Sequence, residues 1–81
     1  MTREEFETLQ VGDLLLYEVH ERGYEGEFDL DMVVEVKPAI GKVLVSLKTI
    51  NSSDSRSIGD EAIYPSTHPL IEHYSLFSET P

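Results

Sequence analysis

Between Tyr24 and Lys37 apolar and acidic side chains alternate for longer than anywhere else in the chain, and the acids are the residues with chemistry to offer. Glu25, Glu27, Asp29 and Asp31 fall on every second position, followed on the same parity by Val33 and Glu35. Side chains of a strand point alternately to its two faces, so such residues stand about 6.7 Å apart, twice the rise per residue. Four carboxylates spaced in this way form a fixed line of negative charge. Charges along one strand of DNA repeat every ~3.4 Å of axis, and more widely along the winding backbone, which is a spacing of the same order. A rigid row of carboxylates therefore suits a basic groove built for nucleic acid. The same pattern also describes a plain solvated strand face whose charges keep an edge from aggregating. Together with their neighbours, Glu18, Glu21, Glu25, Glu27, Asp29, Asp31 and Glu35 are the residues expected to meet a partner.

Other chemistry finds less to work with. Glu27, Asp29 and Asp31 carry the oxygen ligands that calcium prefers, but the loop glycine and terminal glutamate of an EF-hand are missing, and an extended strand spreads its carboxylates apart. His68 and His73 are five residues apart, a spacing that does not put both on one face of a regular helix, and His20 is remote in sequence. The chain has no cysteine, which removes both thiolate zinc sites and a disulfide framework. Gly23-x-x-Gly26 lies among acids that repel phosphate, and there is no Walker loop. No nucleophile stands beside a base, and no pair of carboxylates is legibly held in different environments. A small site at Glu72, His73 and Tyr74 is the weakest of the readings. The expectation is a protein without catalytic residues, metal ligands or cofactor.

Composition sets the frame. Sixteen acidic and six basic residues among 81 give a formal charge of −10. Up to Val36 there are eleven acids and two bases, a net of −9, and from Lys37 onward five acids and four bases, a net of −1. Such a field attracts basic surfaces and repels nucleic acid and anionic membranes, so direct nucleic-acid binding is not expected. A hydrophobic content of 40% and clear strand patterns oppose disorder. Met1-Thr2-Arg3-Glu4-Glu5 leads into no apolar run, and no stretch reaches the ~18 apolar residues of a membrane span. A cytoplasmic protein of one domain, residues 1–81, is expected.

The elements that position the acids follow from local pattern. Thr2 and Glu5 match a capping box, and Phe6 and Leu9 share a face, which predicts a helix over Arg3 to Gln10. Val11-Gly12-Asp13 turns into a strand, Leu14 to His20, that is partly apolar on both faces and so is central or covered by the helix. The long strand from Tyr24 should bury Tyr24, Phe28, Leu30, Met32, Val34 and Val36, with Gly26 marking a bulge or bend. Lys37 to Gly41 closes a hairpin onto Lys42–Ile50, with Val43, Val45 and Leu47 inward and Lys42 and Lys48 free to pair with Glu35 or its neighbours. A polar loop, Asn51 to Ser57, precedes a strand over Ile58 to Tyr64. Thr67 and Pro69 can start a helical turn carrying Leu70, Ile71, Tyr74 and Phe77, and residues 78–81 form a tail. The fold class is mainly β, an α+β domain built on a bent antiparallel sheet.

A short helix, the Val11-Gly12-Asp13 turn and the strand order that follows resemble small Src-homology-3-like barrels of bacteria and phages over residues 2–64. That resemblance implies a barrel fold and no activity. In size and charge the chain is similar to compact acidic phage proteins that disable host defences, anti-CRISPR proteins among them. This implies an inhibitor acting in a host cytoplasm on a basic, nucleic-acid-handling protein. The alternative is a peptide-recognition module, or one that self-assembles as a homodimer through a strand edge, using Tyr17, Tyr24, Phe28 and Tyr64 with the Ser52–Ser57 loop.

Overall fold

The computed structural model describes residues 1–18, 23 and 26–77. Helix α1 (Arg3–Glu7) opens with the expected capping box: Glu5 N donates to Thr2 Oγ1 at 3.2 Å, and Thr2 N donates to Glu5 Oε1 at 3.0 Å. It ends at Thr8, short of the Gln10 boundary that periodicity predicts. The chain is diverted there by a tight turn in which Asp13 Oδ2 accepts from Gln10 N at 2.8 Å and Asp13 N donates to Gln10 O at 3.0 Å. Phe6 and Leu9 are nonetheless both buried.

Among the described residues five strands form one antiparallel sheet in the order β4-β3-β2-β1-β5. They are β1 (Leu14–Glu18), β2 (Phe28–Ala39), β3 (Lys42–Ser52), β4 (Glu61–Pro65) and β5 (Tyr74–Leu76). Of the two places its apolar faces allow, β1 takes the central one, paired with β2 on one side and β5 on the other. The β2–β3 turn is shorter than expected. Pro38 and Ala39 remain in the strand, and only Ile40 and Gly41 turn, Gly41 taking a φ of 72° that glycine adopts without strain.

The core face of β2 differs from the alternation. Asp31 and Val33 point inward, opposite Leu15 and Leu47 respectively, while Leu30 and Met32 lie on the other face. The register slips between Val33 and Glu35, leaving Val34 as an extra residue. A bulge of this kind reverses which parity faces the core. Beyond it Val36, opposite Val45, returns to the parity expected of it. Glu35 consequently faces outward opposite Ser46 rather than a lysine.

The buried cluster is Phe6, Leu9, Leu15, Val33, Val45, Leu47, Ile71 and Tyr74. One sheet face supplies most of it, and α1 together with a 3-10 turn at Pro69–His73 covers it. That turn stands where a short helix was expected, followed directly by β5. Its cap is His68, whose Nδ1 accepts from Leu70 N at 3.1 Å, and not Thr67. Ser66 is buried and locks α1 to the sheet, accepting from Val43 N at 3.0 Å and donating to Glu7 Oε2 at 2.7 Å. Among the described residues no helix is long and apolar enough to cross a membrane.

The inverted face makes a direct stability test. Leu47→Ala empties a closed site and is expected to cost about 2–5 kcal/mol in urea denaturation. Met32→Ala, on the opposite and partly exposed face, is expected to cost about 1 kcal/mol or less. Equal losses would contradict the bulged register.

Candidate partner-binding site

Of the seven acids expected to act together, the five among the described residues do not share a surface. Glu18 ends β1 on the outer face, opposite Phe28, and Glu27 is exposed just before β2. Glu35 is exposed on the outer face, beyond the bulge. Asp29 and Asp31 turn to the inner face, where Asp29 is half-buried and Asp31 is only 5% exposed. Glu21 and Glu25 lie outside the described residues. Among the described residues the continuous outward row is absent: Asp29 and Asp31 turn to the inner face, and the bulge at Val34 puts Glu35 on the opposite one.

Burial of Asp31 is made tolerable by two hydroxyls. Thr49, directly opposite on β3, donates from Oγ1 to Asp31 Oδ1 at 2.8 Å. Tyr74, arriving from β5, donates from its phenol to Asp31 Oδ2 at 3.0 Å. Ser52 makes the same kind of bond to Asp29 Oδ1. Neither partner of Asp31 carries positive charge, so the carboxylate is solvated by dipoles without being neutralised. Burial raises the Asp31 pKa, the hydroxyls from Thr49 and Tyr74 oppose that rise, and the nearby Asp29 charge adds to it. The Tyr74 hydroxyl is likewise pushed far above its ordinary value, by burial first and by the Asp31 charge second.

These two acids join others that the sequence pattern did not group with them. Asp29, Asp31, Asp60 and Glu61 line one cleft of about 350 Å³, with Tyr64 and Tyr74 on its walls. The rings pack against each other with centroids 6.1 Å apart, and Tyr17 stacks on Tyr74 from the other side at 5.2 Å. Among the described residues no lysine or arginine lines the cleft. Asp60 and Glu61 are brought there by the bend at Gly59, whose φ is 97°, and by the pairing of β4 with β3. The sequence signal for them was the acid pair directly after that glycine. Its pairing with Asp29 and Asp31 required a register that the sequence does not state. A second, shallower groove of about 540 Å³ lies between Val34, Glu35, Ser46, Glu61, Ala62 and Ile63.

The chain matches no protein-family model, no curated protein and no solved structure. Function is therefore inferred from the cleft and the charge. Among the described residues no three His, Cys, Asp or Glu side chains converge to hold a metal ion, so the four carboxylates line a wall without forming a coordination shell. His68 is engaged as a cap, and His73 lies 3.5 Å from Glu72 in an exposed pair, while Tyr74 turns the other way into the core. Glu72, His73 and Tyr74 thus do not form a common site. Of the aromatic set, Tyr17 and Tyr64 are half-buried and pack against the core, Phe28 is half-buried at the start of β2, and Tyr24 lies outside the described residues. What the cleft offers is concentrated negative potential beside aromatic rings, suited to an ammonium or guanidinium group.

A carboxyl that holds its proton more tightly folded than unfolded stabilises the fold most at low pH, and that contribution fades as pH rises through the raised value. Comparing wild type with Asp31→Asn by denaturation, the stability difference should move in favour of the asparagine variant from about pH 4 upward. A difference that is flat with pH, or that moves the other way, would contradict a buried and unneutralised Asp31.

Proposed function

We propose that this protein is a non-enzymatic binding protein whose partner is a basic protein surface. The observation that carries this reading is the cleft lined by Asp29, Asp31, Asp60 and Glu61, with no lysine or arginine lining it among the described residues. A formal charge of −10 supports it, because such a field raises the encounter rate with cationic proteins and opposes self-association. The partner's contribution is a lysine or arginine that enters beside the carboxylates and lies against Tyr64. Binding of this kind occludes the partner's basic surface, and where that surface serves a nucleic acid the outcome is inhibition. In the row of carboxylates that favoured a nucleic-acid-handling partner, Asp29 and Asp31 turn inward and Asp31 is buried, so the support lies with a basic surface in general.

Capture from cell lysate on the immobilised full chain tests this reading, with a triple variant, Asp29→Asn, Asp60→Asn and Glu61→Gln, as the comparison. Basic proteins should be retained at about 50 mM salt and released as screening shortens the Debye length to about 3 Å near 1 M. For the retained protein, association with the triple variant is expected to be about tenfold slower or more, with a flatter salt dependence. Retention of no basic protein, or equal association by both chains, would overturn it.

A further inference from the structure

The cleft and the shallow groove lie on opposite faces of the same strand, and both are lined by Glu61 and Ala62 of β4. β4 is also an edge of the sheet. Its register decides which backbone groups face outward. Ser66 N donates to Val43 O at 2.8 Å, and Thr49 N donates to Asp60 O at 2.9 Å. Antiparallel partners alternate between hydrogen-bonded and non-hydrogen-bonded pairs, so Tyr64 and Ala62 bond inward to β3. The N–H and C=O of Glu61 and of Ile63 then point away from the sheet, and among the described residues no strand pairs with them. Pro65 closes this window, since it has no N–H and its carbonyl accepts from His68 N at 2.9 Å.

The other edge is less available. In β5 the Tyr74 N–H donates to Ile71 O, and the Tyr74 carbonyl accepts from the Met1 amino group at 2.6 Å. β4 thus presents the longer open edge, with Ile63 66% exposed on it.

We propose that the β4 edge takes up an extended segment of a basic partner, added antiparallel as a sixth strand, with a lysine or arginine flanked by two apolar residues. The proposal rests on the basic-partner reading above and gives it a docking mode. Residues directly opposite in a sheet share a face. The partner residue opposite Ala62 therefore enters the acidic cleft beside Asp60 and Tyr64, where a cation is the complementary charge. Its two neighbours, opposite Glu61 and Ile63, exchange backbone hydrogen bonds with the edge and lay apolar side chains on the outer face, one of them beside the exposed Ile63. Main-chain bonds supply affinity in such strand addition, and the alternating side chains supply selectivity.

A labelled peptide, Ser-Thr-Val-Arg-Val-Thr-Ser, probes this on the full chain. Binding is expected, accompanied by protection of the Glu61 and Ile63 amides from hydrogen exchange. Replacing the central arginine by neutral citrulline should weaken binding about tenfold or more, and N-methylation of the two valines should do the same. Ile63→Pro, which removes an outward N–H and keeps the bonds to β3, should match the methylated peptide. If that variant does not fold, the methylated peptide decides alone. Binding that needs the arginine but ignores N-methylation, and leaves the Glu61 and Ile63 amides unprotected, overturns strand addition while the basic-partner reading stands. No binding of the peptide by a chain that retains basic proteins in a salt-sensitive way has the same meaning. Concentration-dependent protection of those amides without peptide would assign the edge to a second copy of the chain and overturn the proposal.

Discussion

One extra residue in β2 sets the positions of most groups discussed above. Val33 and Val34 are consecutive and both apolar, so either can serve as a core residue, and the sheet seats Val33 opposite Leu47 and leaves Val34 as a bulge. Because side chains alternate, that choice fixes the face of every residue before it: Val33 inward requires Asp31 and Asp29 inward. After the bulge the parity reverses, and Val36 meets Val45 in the core. The strand thus contributes to one core on both sides of the bulge, and it does so by carrying a carboxylate inside.

That carboxylate constrains its surroundings. An ionised group removed from water without hydrogen bonds is strongly destabilising. Thr49 and Tyr74 answer this from β3 and β5, strands that are far apart in sequence and both within reach of β2 only in the folded sheet. The phenol of Tyr74 is consequently held in place at one end by Asp31 and along its ring by Tyr17 and Tyr64. Among the described residues no buried polar side-chain atom is left without a partner. The arrangement is satisfied in hydrogen bonds and unsatisfied in charge, which separates a structural acid from one that still attracts a cation.

Much of the framework was legible beforehand. The capping box at Thr2 and Glu5 and the inward set Val43, Val45 and Leu47 each follow from short-range rules that the tertiary structure does not override, and the central place of β1 is one of the two that its faces allow. The face of β2 was misread because the alternation of Leu30, Met32, Val34 and Val36 is unbroken in sequence, and a bulge becomes visible only through the partner strand. The adjacent apolar pair Val33-Val34 was the one local sign that the parity can change. Asp60 and Glu61 were out of reach for a different reason. Their place beside Asp29 and Asp31 depends on a bend at Gly59 and on β4 lying next to β3, and neither is encoded in the spacing of the acids themselves.

The exposed edge and the acidity bear on each other. An edge strand with outward N–H and C=O groups invites a second copy of the same chain unless something opposes it. Pro65 shortens the β4 edge from one end, and Asp60 and Glu61 flank it from the other, so two such edges approaching each other bring like charges together at close range. A cationic segment meets the same carboxylates as attraction. In the proposed docking mode, the features that oppose pairing of this edge with itself are those that would favour a basic strand.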